Sequence, residues 1–182
     1  MVDSARAELL DRVMTRVREH GVTETSLRAL AAEIGTSHRM LLYHFGSREG
    51  LLVEVIRAVE SEQRARLTEL APDLDDAGAL RAMWRHFTDP ALAPNERLFF
   101  EIYGQALQGR PGATDLLDGI VDDWIAPVAA AAIARGVTPA IARADARLAI
   151  AVVRGLLLDL LATGNRRAVN AAFERYVDRW VA

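Results

Sequence analysis

Residues 25–48 read TSLRALAAEIGTSHRMLLYHFGSR. Two short apolar-periodic runs lie here, each opened by a serine and closed by a glycine. Leu27, Leu30, Ala31 and Ile34 recur at helical spacing after Ser26, and Gly35 follows as a turn residue. Ser37 stands at the start of a second run that ends at Phe45, before Gly46-Ser47. A hydroxyl at a helix start accepts from an N–H that the helix leaves unbonded, so Thr25 or Ser26 is predicted to cap the first run and Ser37 the second. A short helix, a glycine turn and a second capped helix form the pattern of a helix-turn-helix, in which the second helix enters a DNA major groove.

A helical wheel of the second run divides its side chains. Leu41, Leu42 and Phe45 fall on the side suited to packing inward. Arg39, Met40 and Tyr43 fall on the other, with His44 at the edge. Arg can read guanine, Met can touch a thymine methyl, and Tyr can reach a phosphate. The local charge agrees. Between Glu33 and Glu49 there is no carboxylate, while His38, Arg39, His44 and Arg48 all lie there. The whole chain of 182 residues carries a formal net charge of -3, so any contact with a phosphate backbone has to be local. The same residues would also serve a helical hairpin within a core.

The periodicity outside this block is helical as well, with no sustained two-residue alternation. A first helix is predicted from Asp3 or Ser4 to just before Gly21, with Leu9, Leu10, Val13, Met14 and Val17 inward. A long fourth helix is predicted from Ser47 to about Ala71, ended by Pro72. Five more follow. Leu80, Met83, Trp84 and Phe87 mark one, and Leu98 to Leu107 the next. A third spans Leu116 to Ile125, with Pro127 expected to kink or split it. Thr138-Pro139 opens a fourth that runs to Gly164, and Asn165 caps the last. The fold class is therefore all-α, with about nine helices.

Composition removes several chemistries. All 22 basic residues are Arg, which excludes a Walker-type phosphate loop and a Schiff-base lysine. Without cysteine there are no disulfides, thiolate metal sites or Cys nucleophiles. His20, His38, His44 and His86 lack metal-ligand spacing, and no hydrolase or dinucleotide motif occurs, so no enzyme, metal or cofactor is expected. The first ten residues carry Asp3, Arg6 and Glu8 and have no targeting pattern. The most apolar stretch, Leu148 to Ala162, is broken by Arg154 and Asp159, so no membrane span is expected and a cytoplasmic protein is.

The block from Gly21 to Leu52 resembles the DNA-binding domain of TetR-family transcriptional repressors. The resemblance rests on Thr25-Ser26, Arg28, Leu30-Ala31, Ile34-Gly35, Ser37, Leu41, Tyr43-His44-Phe45, and Ser47-Arg48-Glu49 followed by Leu51-Leu52. It implies a three-helix DNA-binding domain over residues 1–46. It further implies a helical effector-binding and dimerisation domain over 47–182, joined through the long fourth helix. Family DNA contacts carry over to Ser26, Arg28, Ser37, His38, Arg39, Met40, Tyr43, His44 and Arg48. The family usually has Lys where Arg48 stands, and an Arg keeps the charge but clamps phosphate as a fork. It usually has Tyr where Leu42 stands, which removes a phosphate hydroxyl.

The resemblance also implies a homodimer on double-stranded operator DNA, paired through the last two helices, and a small-molecule effector. Val169, Phe173, Tyr176 and Trp180 make an aromatic stripe suited to that pairing, or to packing within one chain. Arg154 and Asp159 are expected to anchor a ligand, to pair across the dimer, or to lie on a solvated helix edge. Trp84, Phe87, Phe99, Tyr103 and Trp124 concentrate aromatics on the middle helices, suiting either an apolar effector or a plain core. The Pro127 break and the loop Gly109-Arg110-Pro111-Gly112 are candidate entrances. Two other classes stay open: a helical adaptor or ligand-binding protein with degenerate DNA binding, and a small helical enzyme.

Overall fold

The computed structural model describes residues 2–20, 26–70 and 76–180. Among them are nine α-helices and no strand: α1 (Val2–His20), α2 (Leu27–Glu33), α3 (His38–Phe45), α4 (Arg48–Leu70), α5 (Asp76–Phe87), α6 (Ala93–Leu107), α7 (Asp122–Ala134), α8 (Pro139–Thr163) and α9 (Arg166–Trp180). Short 3-10 turns at Pro90–Leu92 and Thr114–Leu117 precede α6 and follow it. The stops expected at Gly21 and Pro72, and the Thr25 start, lie outside the described residues.

By packing, the chain divides into two units, Met1–Ser61 with Arg97–Asp118, and Glu62–Glu96 with Gly119–Ala182. In the first unit the inward stripe of α1 is Leu9, Val13, Met14 and Val17, while Leu10, also expected inward, is half-buried at its edge. Leu27, Leu30 and Ala31 of α2 and Leu41 and Phe45 of α3 are buried. The start of α4 is buried on more than one face, since Leu51, Leu52, Val53, Val55 and Ile56 all lose their solvent. At this end α4 is a core helix. Leu98, Phe99, Ile102 and Ala106 of α6 belong to the same unit.

In the second unit α7 packs along α8, and α9 packs on α8 and α5. The α7–α8 contact uses small buried residues, Ala129 facing a helix that buries Ala142, Ala146 and Ala149. Small side chains let two helix backbones approach closely, and alanine favours helix as well. Asn165 caps α9 through its Oδ1, which accepts from Ala168 N at 3.2 Å.

One helix differs from expectation. The run from Leu116 is divided before Asp122: Thr114–Leu117 forms a 3-10 turn, and α7 starts only after Gly119. Pro127 then lies inside α7 without splitting it. As the sixth residue of α7 it removes the N–H that would meet the Asp123 carbonyl, and the helix continues through it at the loss of that one bond.

Candidate nucleic-acid interface

The interface is built by local chemistry that the sequence displays openly. Ser26 Oγ accepts from Ala29 N at 3.2 Å and caps α2. Ser37 Oγ accepts from Met40 N at 3.1 Å and caps α3. Ser47 Oγ accepts from Gly50 N at 2.9 Å and starts α4. Each hydroxyl accepts through oxygen and keeps its hydrogen free to donate, which is what a phosphate requires. Gly46 ends α3 by donating its N–H to Leu42 O at 2.9 Å, and the chain turns into α4 within two residues.

Burial orients α3. Leu41 and Phe45 face the core. Arg39 and Tyr43 occupy the centre of the opposite face, and Tyr43 is 70% exposed. Met40 flanks that centre on one side, 40% exposed, and Leu42 on the other, 37% exposed. Leu42 therefore stands outside the core, contrary to the wheel's inward grouping. Eight residues of helix have two sides of unequal width, and Leu41 with Phe45 already fill the narrow buried one. His38 is half-buried at the first turn, while Ser26, Arg28 and Ser37 are exposed. Arg48, at the start of α4, is half-buried.

His44 is placed differently from the others. Its ring packs edge-on to Tyr43, with centroids 5.0 Å apart, and its Nε2 is buried without a hydrogen-bond partner. That atom does not face the solvent side where Arg39 and Tyr43 stand. His44 acts here as a shelf under Tyr43.

Three arginines of α1, which sequence reasoning missed, fasten this motif. Arg16 pairs with Glu33 at the end of α2. Arg12 Nη2 donates to the carbonyl of Ile34, the residue that ends α2. Arg6 Nε donates to His44 O at 3.4 Å, its guanidinium lies 5.2 Å from the Phe45 ring centroid, and its Nη2 meets Glu54 Oε2 of α4 at 2.7 Å. Arginine suits such posts because its planar fork can bond a carbonyl and stack on a ring together. Their spacing along α1 gave no motif, since each partner comes from a different later element.

Residues 14–55 match the family model for bacterial regulatory proteins of the tetR family, a span that runs from the end of α1 through α2 and α3 to the start of α4. This stretch is similar to the DNA-binding region of TetR-family regulators. No curated protein matches it. Among solved structures, the TetR fold extends over nearly the whole chain. A transcriptional regulator from Rhodococcus sp. Rha1 is 22% identical, with a TM-score of 0.73 over 96% of this chain and 94% of that one. A TetR-family transcriptional regulator from Pectobacterium atrosepticum is 19% identical, TM-score 0.70, over 98% and 91%. The multidrug binding protein EbrR, complexed with proflavin, is 26% identical, TM-score 0.66, over 96% and 98%.

The remaining candidate residues sit as follows. Trp84, Phe87 and Trp124 lie in the second unit, and Phe99 and Tyr103 in the first. Trp84 stacks on Phe173 at 4.7 Å and donates Nε1–H to Asn170 Oδ1 at 2.9 Å. Phe87 meets Trp124 edge-on at 5.4 Å, and Arg64 lies over the Trp124 ring at 5.5 Å. Phe99 and Tyr103 stack on each other at 5.4 Å.

The stripe on α9 faces its own chain. Val169 and Phe173 are 1% and 0% exposed, so they have no surface left to give a partner. Tyr176 is half-buried against Trp180, which is also only part-exposed. Burial, with Asp145 nearby, pushes the Tyr176 hydroxyl up to about 12. Arg154 Nη2 donates to the Ile120 carbonyl at 2.8 Å within its own unit, and Asp159 is exposed. The exposed apolar seam is on α8 instead. Ile141, Leu148 and Leu158 are 55%, 52% and 51% exposed. With exposed Ala144, Ala151, Gly155 and Ala162 they recur at alternating steps of three and four, the spacing of a helix-pairing seam.

Proposed function

We propose that this protein is a homodimeric repressor that binds palindromic operator DNA and is released by a small, largely apolar effector. The observation that carries the DNA reading is the outer face of α3. There a tyrosine that is 70% exposed stands beside an arginine and is flanked by methionine and leucine, on a stretch free of carboxylates. Large apolar groups held in water gain by entering a groove. Arg39, Met40 and Tyr43 read or line the groove. Ser26, Arg28, Ser37, His38 and Arg48 meet the backbone. His44 supports Tyr43.

Residues 1–46 form the DNA-binding part in this reading, and 47–182 the effector-binding and dimerisation part. Two protomers would present α3 to successive major grooves, about 34–36 Å apart. The α8 seam supports the pairing. Its leucines are exposed while small residues between them allow close approach. The EbrR–proflavin complex supports a small-molecule effector, for which Trp84, Phe87 and Trp124 in the second unit, and separately Phe99 and Tyr103 in the first, are the candidate contacts. Effector and operator would oppose each other to the extent that each favours a different setting of α4. A regulator of this kind acts in the cytoplasm, and no helix among the described residues is long and apolar enough to cross a membrane.

The test is Arg39→Ala with Tyr43→Ala, assayed by mobility shift on a duplex that the wild-type protein selects from a random-sequence pool. Binding is expected to vanish while the fold, followed by circular dichroism, stays intact. Unchanged binding refutes the groove assignment.

A further inference from the structure

The loop Gly109-Arg110-Pro111-Gly112 lies against the first turn of α4, inside the unit that holds the helix-turn-helix. Arg110 reaches back across 61 positions and places Nε and Nη2 on one oxygen, Glu49 Oε1, at 3.2 and 3.0 Å. Gly112 fixes the approach. Its φ is +81°, and a Cβ there would stand 2.5 Å from Ser47 Oγ, an oxygen already held by Gly50 N. Arg57 Nη2, further along α4, donates to the Asp115 carbonyl and ties down the far end of the segment.

Glu49 sits immediately after Arg48. Left bare, its carboxylate would cancel the Arg48 charge where a phosphate is to be bound. Its side chain is 16% exposed, whereas that of Arg110 is 58% exposed, so the guanidinium stands on the solvent side of the carboxylate. Arg48 and Glu49 alone sum to nothing, and Arg110 makes the turn positive.

We propose that Arg110 is a positioning and charge-screening residue of the DNA-binding surface, contributed from outside the helix-turn-helix by the segment that follows α6. It rests on the reading that Arg48 meets a phosphate. A screened carboxylate about 7 Å from a phosphate, in a water-like medium, changes affinity by about threefold per half-site, and so by about tenfold for two. The effect fades with salt, because the charges involved are near the surface.

The experiment measures fluorescence anisotropy on the duplex selected by the wild-type protein, at low and at moderate salt. Arg110→Ala is expected to weaken binding about tenfold at low salt and less at moderate salt, with a shallower salt slope. Arg110→Gln, which keeps a hydrogen bond to Glu49 without the charge, is expected to show the same loss. Adding Glu49→Gln to Arg110→Ala is expected to restore wild-type affinity, an outcome that a loop-anchoring role alone would not give. Wild-type affinity in Arg110→Ala overturns the proposal, and so does a double variant as weak as the single one. A wild-type protein that selects no duplex refutes the DNA reading itself, and the proposal with it.

Discussion

Charging the α8 seam should dissociate the proposed dimer without unfolding the protomer. Ile141, Leu148 and Leu158 each leave about half their surface in water. Burying a whole side chain of this kind is worth about 2 kcal/mol, so the exposed half is worth about 1 kcal/mol. Six such side chains across a twofold pair supply about 6 kcal/mol, and a micromolar dimer needs about 8 kcal/mol net. Leu148→Asp with Leu158→Asp removes four of the six, about 4 kcal/mol before any cost of burying carboxylates, which weakens association about a thousandfold.

Sedimentation equilibrium reads the dissociation constant, and circular dichroism verifies the helices. The contrast is Phe173→Ala. That ring is fully buried on Trp84, so its removal should lower protomer stability by about 3–5 kcal/mol, read as a fall in the urea midpoint. An unchanged dimer in the doubly charged variant refutes the seam. A Phe173→Ala protein that dissociates with its protomer stability unaltered would return the interface to the α9 stripe.

Two further outcomes are expected. Gly35→Ala places a Cβ at φ +67° and 3.1 Å from Arg12 Nη2, so it should cost about 1–2 kcal/mol and loosen the turn between α2 and α3. A thermal midpoint equal to wild type would show that Arg12 does not hold that turn. His86 is held below its ordinary 6.5, first by burial and then by the Arg66 charge, against a smaller opposite pull from Asp89. The folded state therefore disfavours its proton. Its contribution to stability is complete above pH 6.5 and is lost as pH falls through the lowered value. His86→Gln should flatten that part of the stability profile, and an identical slope in urea titrations at falling pH would contradict it.

Much of the DNA-facing half was legible in the sequence because its determinants are local. Ser26, Ser37 and Ser47 each cap a helix by reaching three residues ahead, and Gly35 and Gly46 follow the ends of α2 and α3; no distant partner is needed. The inward stripe of α1 and the outward Arg39 and Tyr43 follow from helical period alone. Leu42 shows the limit of a wheel drawn for eight residues, where one leucine can fall on either margin.

The amino-acid sequence by itself determined an all-helical chain, its caps and its helix-turn-helix, since these depend on neighbours within one or two turns. Tertiary structure decided what each apolar face meets. Period marks a stripe on α9 and another on α8 equally well. Only packing turned Phe173 onto Trp84 and left Leu148 in water. Packing likewise gave the α1 arginines their posts, carried the start of α7 past Gly119, and set Arg110 on Glu49. Contacts between residues so far apart depend on how whole helices are brought together, and no local pattern records that.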